Sequence, residues 1–345
     1  MKLLTIAIPV YNTENYIRRC LDSLLIDDVL EDIEIIAVND GSKDNSIKIL
    51  NEYAQKYPST VVVIDKENGG HGSTINAALK KATGKYFRVL DSDDWFDSPH
   101  FISFVKKLKN ENSDLIITSY RKEYIYNGLS EKIRWKELEE NKVYYFNDFD
   151  LSLLKKEYFT MANSTYKTEI LRLSNLSLME KTFYVDMQFN IVPIPYVQTF
   201  KFIKLDIYRY FIGRPDQSMN LDNFVKNRSN HESVMKFLVE YYSKNATSFS
   251  DNVKKYIKQI LFYMLNTHYY IYCVYAKTNK RTIYKEIKLF DKYLKETNTD
   301  LYIMMKKIGK IRYYRMCNFL PILISSSLFN KLIDLFGSLL KRRHD

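Results

Sequence analysis

The chain is poor in the residues that mark special architectures: 3 Cys, 7 Pro, 9 Gly and 2 Trp among 345 residues. Cys20, Cys273 and Cys317 are odd in number, far apart and without metal-ligand spacing. That excludes a disulfide framework and suggests reduced thiols in a cytosol-facing protein. No Gly/Pro-rich or low-complexity tract interrupts the chain, so disorder is a minor element. A bilayer span needs about 20 apolar residues, and none is found. IKQILFYMLNTHYYIYCVYAK is broken by Asn266, Thr267 and His268 and reads as a buried helix. MKLLTIAIPVYN reaches Pro9 and a polar turn before any small-residue cleavage site, so it reads as a first strand and not as a signal peptide. PVYNTEN, after that strand, has no glycine, which counts against a dinucleotide-binding oxidoreductase.

What is present is a globular composition, 46% hydrophobic and 27% charged. The length allows a full core and a second region. We expect residues 1–220 to form one domain and 221–345 a helical, basic one. Net charge is +11 and unevenly placed: residues 1–110 carry 14 Lys/Arg against 16 Asp/Glu, and residues 220–345 carry 23 against 10. Such a basic end suits an anionic surface, a membrane leaflet or nucleic acid. No nucleic-acid-binding motif accompanies the charge, so nucleic acid is not expected as a partner.

The first hundred residues alternate strand and helix signals. KLLTIAIPVYN, EIIAVND, TVVVIDKE and YFRVLD read as strands. Between them lie a helix from NTENYIRRCLDSLLI capped by Asn12 or Thr13, one through KILNEYAQKY capped by Ser42 or Asp44, and one from Gly72 to Thr83. This order implies an α/β fold with a mainly parallel sheet, helices on both faces and ligands at the carboxyl ends of the strands. Polar residues collect at those ends: Tyr11 and Asn12, Asn39 and Asp40, Asn68 and Gly69, and Asp91 to Asp94. Residues 115–215 mix strands and short helices, and long helices follow from 223.

VLDSDDW, residues 89–95, concentrates Asp91, Asp93 and Asp94 beside Trp95 at a strand end. Carboxylates there suit a hard divalent cation, Mn2+ or Mg2+, which takes one or two carboxylates and fills its remaining positions with water and phosphate oxygens. AIPVYN, VNDGSKDNS, ENGGHGSTIN and LDSDDW, in that order, resemble the family 2 glycosyltransferases of the GT-A fold, strongly over residues 1–110 and more loosely to about 220. The resemblance implies an inverting, metal-dependent transfer of sugar from a nucleoside diphosphate to a saccharide or lipid-linked saccharide, in bacterial surface polysaccharide synthesis. A UDP-sugar is the expected donor.

It further implies that Pro9 and Tyr11 line the nucleotide pocket, that Asp40 bonds the base or ribose, and that Asn68, Gly69, Gly70 and Ser92 contact the donor. Asp91 and Asp93 would position the diphosphate and its metal, with Asp93 the direct ligand. Ile75 stands where relatives often have Arg, so either one cationic contact is missing or another cation, such as Arg88, supplies it. His71, a single His without partners, reads as a polar loop residue. Asp186 in KTFYVDMQF is the expected base, where many relatives have Glu-Asp and this chain has Val185-Asp186; a helix cap or salt-bridge partner is the plainer alternative. Trp95 and Tyr184 could face a sugar ring or pack in the core. Arg214, Gln217 and Ser218 resemble residues that close over the donor and contact diphosphate or acceptor.

The C-terminal KKIGKIRYYRMCNFLPILISSSLFNKLIDLFGSLLKRRHD puts Phe329, Leu332, Ile333, Phe336, Leu339 and Leu340 on one helical face among cations. That face would lie in the headgroup layer at the inner side of the cell membrane, or pack on the enzyme or on a second copy in a homo-oligomer. A non-catalytic nucleotide- or glycan-binding partner in polysaccharide assembly remains the alternative function.

Overall fold

A computed structural model describes residues 2–213 and 221–323. Arg214, Gln217, Ser218 and the apolar face from Phe329 to Leu340 lie outside the described residues. The chain divides into two compact units, Met1–Ser218 with Thr247–Ile257, and Met219–Ala246 with Lys258–Asp345.

The first unit is built on β1 (Leu4–Val10), β2 (Ile33–Asp40), β3 (Val61–Lys66), β4 (Tyr86–Val89), β5 (Trp95–Phe96), β6 (Leu115–Tyr124), β7 (Ser130–Ile133), β8 (Val143–Tyr145), β9 (Ser164–Lys167) and β10 (Thr199–Ile212). They form one mixed sheet in the order β3-β2-β1-β4-β9-β6-β10-β5, with β7 on β6 and β8 on β10. β3, β2, β1 and β4 run parallel, β6 and β10 run parallel, and β9 is antiparallel to both β4 and β6. The expected mainly parallel α/β sheet is present, with an antiparallel strand joining its two parallel parts.

Every residue of β1 and β2 is buried, as a sheet covered on both faces requires. Leu4, Ile6, Ile8 and Val10 share a core with α1 (Ile17–Asp22), α2 (Ser46–Lys56) and, after α3 (His71–Lys81), α4 (Ser98–Leu108), through Ile17, Cys20, Leu21, Leu50, Phe101 and Phe104. Ile75, Ala78 and Leu79 of α3 are buried as well. Two short helices follow, α5 (Thr168–Leu173) and α6 (Asp186–Ile191).

The expected side-chain caps of the first helix are not made. α1 begins at Ile17 without a side-chain cap: the Asn12 side chain is used between loops and the Thr13 hydroxyl makes no hydrogen bond. Asn12 Oδ1 accepts from Lys43 N at 2.8 Å, and Thr13 N donates to Ser46 Oγ at 3.0 Å. Ser42 Oγ likewise accepts from Asn12 N, while Asp44 Oδ1 accepts from Ser46 N, the first residue of α2. The loops after β1 and β2 are thereby tied to each other.

The second unit is helical: α7 (Leu221–Lys226), α8 (Arg228–Asn245), α9 (Asp251–Tyr270), α10 (Lys280–Thr297), α11 (Thr299–Met304) and α12 (Gly309–Met316). Residues 251–257 of α9 belong to the first unit. Ile257, Ile260, Leu261, Leu265 and His268 of α9 are fully buried. Among the described residues no helix is long and apolar enough to cross a membrane.

Candidate active site

β1 to β4 end on one rim, and the loops leaving that rim carry the polar residues. Pro9 is buried in β1 opposite Val38, and Tyr11 just beyond it is half exposed. Asp40 closes β2 and is nearly inaccessible. Its Oδ1 accepts from Gly69 N at 2.8 Å and from Lys66 Nζ at 2.8 Å, and its Oδ2 accepts from Gly70 N at 2.8 Å. Asn68 Nδ2 donates to the Asp40 carbonyl at 2.9 Å. Both oxygens shape the glycine loop, and Oδ2, with a single donor, keeps a second acceptor site for the expected contact with base or ribose.

That loop does more than turn. Gly70 has φ +83°, a left-handed conformation that favours glycine, and a Cβ there would meet Lys181 N at 3.0 Å. At Gly72 a Cβ would meet the Met179 carbonyl oxygen at 2.2 Å. The bare backbone admits the segment 178–182, whose Lys181 N donates to Gly69 O at 2.5 Å. Asn76 fixes the same segment twice, donating to Leu178 O and accepting from Leu178 N, both at 2.9 Å. Lys181 and Tyr184 take positive φ of 52° and 67°, costly for residues with a side chain, so surrounding contacts must hold them there. The loop then enters α6, whose first residue is Asp186. Asp186 is half-buried. Burial raises its carboxyl above the ordinary range, with His71 opposing the shift and Asp91 adding to it.

The acidic turn after β4 splits into separate roles. Asp91 Oδ1 lies 2.9 Å from Nε2 of His71, the first residue of α3. The expectation of a partnerless loop histidine at position 71 is corrected: burial opposes its protonation, but the hydrogen bond to Asp91 and the charges of Asp91, Asp186 and Asp93 raise its pKa. Ser92 is buried and Asp93 is half-buried. Asp94 is fully buried, accepting from Tyr208 Oη at 2.5 Å and Phe211 N at 2.7 Å. Burial and the charges of Asp93 and Asp91 push its carboxyl well above the usual range. Asp94 thus fastens β10 to the turn, and Tyr208 Oη also accepts from Asp91 N at 3.3 Å.

Trp95 is half-buried, with the Arg19 guanidinium 3.8 Å from its ring centroid and 4.5 Å from that of Phe211. Arg19 Nη2 donates to the Asp93 carbonyl at 2.8 Å, so this cation braces the turn. Arg19 escaped the sequence reading because nothing local links a helix position to a turn seventy-four residues away. Arg88 corrects another expectation. It is fully buried and bonds Thr165 Oγ1 at 2.9 Å, Thr118 Oγ1 at 3.2 Å and Ala162 O at 2.6 Å. Its guanidinium, lowered to about 9 by burial, ties β4 to neighbouring segments and cannot replace the Arg absent at Ile75.

The donor set fits a hard cation. Asp91 and Asp93 offer carboxylate oxygens at the strand end, and Asp91 keeps Oδ2 beyond its bond to His71. Among the described residues no group of three or more His, Cys, Asp or Glu side chains is arranged to hold a metal unaided. A cation here would therefore complete its shell with ligand and water oxygens.

A sheet of this order, with an acidic turn after its fourth parallel-part strand and a glycine loop facing it, defines a GT-A type domain. Residues 5–173 match Glycosyl transferase family 2. The chain is 32% identical over 168 residues to "Glycosyltransferase GlyA" of Streptococcus pneumoniae, covering 48% of this chain and 22% of that protein. It is 31% identical over 215 residues to "Teichoic acid poly(glycerol phosphate) polymerase" of Staphylococcus epidermidis, 61% of this chain and 28% of that one. With "Poly(ribitol-phosphate) beta-glucosyltransferase" of Bacillus spizizenii it shares 42% over 116 residues, 33% and 18% of the two chains. The chain thus spans well under half the length of these relatives. The crystal structure of S. aureus TarS 1-349 in complex with UDP-GlcNAc superposes with TM-score 0.65 at 19% identity, over 93% of this chain and 88% of that one, which shows a common fold.

Proposed function

We propose that the first unit is an inverting glycosyltransferase that moves a sugar from a nucleoside diphosphate, a UDP-sugar first among candidates, to a saccharide or lipid-linked saccharide in cell-surface polymer synthesis. The observation that carries this is the meeting of three elements: the glycine loop bearing His71, the turn bearing Asp91 and Asp93, and the docked segment leading to Asp186. The names of the relatives, and UDP-GlcNAc in the TarS crystal, support the donor and polymer classes.

In this reading Tyr11 and Pro9 flank the nucleotide, while Asn68, Gly69, Gly70 and Ser92 shape the pocket. Asp91 and Asp93 hold Mn2+ or Mg2+, which when bound offsets the charge gathering on the leaving diphosphate. His71 keeps Asp91 oriented through its 2.9 Å bond. Asp186 takes the proton of the acceptor hydroxyl as that oxygen bonds to the anomeric carbon and the bond from that carbon to the diphosphate breaks. A carboxylate raised by burial is better matched to this task than an ordinary one. Arg214 belongs to the proposed donor contacts by resemblance alone. We place the reaction at the cytoplasmic side of the membrane, with the second, basic unit toward the lipid or a second copy.

The test is thermal stabilisation by a panel of UDP-, GDP- and dTDP-sugars with and without Mn2+. A ligand at 100 times its Kd adds about 2.7 kcal/mol of stability and a raised melting temperature. Metal-dependent stabilisation by one nucleotide class is expected; no response to any would contradict the reading.

A further inference from the structure

In the second unit, α12 is anchored along one side only. Ile311 is buried, Tyr314 Oη donates to the Cys273 carbonyl at 2.7 Å, and the Arg315 guanidinium donates to Asp291 Oδ1 and to the Tyr302 carbonyl, both at 2.7 Å. At about 100° per residue, these three residues share one side of the helix. Around the other side run Arg312, Met316, Gly309, Tyr313 and Lys310, in that angular order, and all five are exposed. Met316, 80% exposed, and Tyr313, 43% exposed, therefore stand near the middle of this face, with Arg312 on one flank and Lys310 on the other. Leu320 and Leu323, beyond the helix, are exposed as well.

Neither flank is neutralised. Lys310 and Arg312 make no ion pair with another described residue, and the same holds for the exposed Lys306 and Lys307 just before the helix. Lys310 Nζ lies 5.2 Å from the centroid of the Tyr270 ring, a contact that leaves its charge in place. Residues 301–333 contain no Asp or Glu, so no acid within the segment balances these cations. An apolar centre between unpaired cations matches a helix lying in a headgroup layer, where the centre enters the acyl boundary and the long cationic stems reach back to phosphates.

We propose that this outer face of α12 docks the second unit on an anionic phospholipid bilayer. The inference rests on the placement given with the transfer reading and commits that placement to lipid. A second copy on the same face, in a two-fold arrangement, would set these cations against their own counterparts. Residues 324–345 of the chain carry four Lys/Arg against two Asp, so they add positive charge to the region instead of offsetting it. An anionic bilayer supplies both a negative surface and an apolar depth for Met316 and Tyr313. Each Lys or Arg close to such a surface strengthens binding about five-fold.

The probe is a vesicle of phosphatidylcholine and phosphatidylglycerol in equal parts, co-sedimented with the full chain, with phosphatidylcholine alone as the neutral arm. Wild type should sediment with the anionic vesicles and stay in solution with the neutral ones. Lys310→Gln/Arg312→Gln should weaken this binding by about ten-fold or more, and Met316→Ser should weaken it several-fold. Lys80→Gln/Lys81→Gln, which removes the same charge from exposed positions of α3, should change it little. All these side chains are exposed, so the variants should melt with wild type. Wild type that ignores anionic vesicles, binding that survives the changes in α12, or an equal loss in the α3 variant would overturn the surface. A dimer in solution that Lys310→Gln/Arg312→Gln alters would also overturn it, by giving the face to a second copy. Consumption of nucleotide sugars by wild type without vesicles tests the transfer reading apart from this surface.

Discussion

Single residues at the rim take roles that their neighbours in sequence do not announce. Asp91, Asp93 and Asp94 look equivalent in LDSDDW, yet Asp94 is fully buried against Tyr208 and Phe211 while Asp91 faces His71. The burial of Asp94 arises from contacts more than a hundred residues away, which no local pattern encodes. Arg88 is similar: a cation beside a predicted ligand site proves to be a buried tie between strands. At this scale the second unit offers a clean titration. His231 and His268 are buried, their Nδ1 atoms 3.1 Å apart and their rings 5.2 Å apart at 19°. Burial lowers His231 to about 4, and burial with the nearby His231 and Lys236 lowers His268 further. With folded pKa values depressed below the unfolded value of about 6.5, the unfolded chain binds more protons, so stability present above that pH is lost as pH falls toward 4. For His231 alone the shift corresponds to about 3 kcal/mol. Urea denaturation from pH 7.5 to 4.5 should show this decline, and His268→Gln should make it shallower; equal slopes would refute the assignment.

Elements show where sequence reading succeeds. β1 to β4 and the helices between them were legible because each buries a periodic apolar face, and the shared rim follows from their parallel order. Helix entry differs at Asn12, whose side chain serves the neighbouring loop, and at Thr13, which meets α1 through its carbonyl, accepting from Ile17 N, and not through its side chain. The segment 178–185 was legible only through the family resemblance of Asp186. Its position depends on two glycines a hundred residues earlier and on backbone angles that residue types disfavour. That dependence can be measured. Gly72→Ala would place a Cβ 2.2 Å from the Met179 carbonyl, so the segment must move. We expect a loss of about 1 to 3 kcal/mol in stability and a larger fall in transfer than in donor affinity. Gly309→Ala, where a Cβ meets nothing within 4 Å, is the control. Unchanged transfer in Gly72→Ala would show that the docked segment does not deliver Asp186.

At the scale of the molecule, charge and fold divide the labour. The first unit gathers carboxylates on the rim, an arrangement suited to an anionic donor held through a cation. The surplus of Lys and Arg lies in residues 220–345, outside the family match of residues 5–173. The sheet architecture and family were readable from four ordered motifs. The docking of segment 178–182 on the glycine loop was not, since it joins residues with no shared motif. Everything proposed converges on Asp186 as the group that accepts the acceptor's proton. The direct measurement is the sugar-transfer rate of Asp186→Asn at saturating donor, beside its donor affinity. Loss of a general base predicts a rate reduced by about 10²- to 10⁴-fold with donor affinity close to wild type; transfer within a few-fold of wild type would contradict the account.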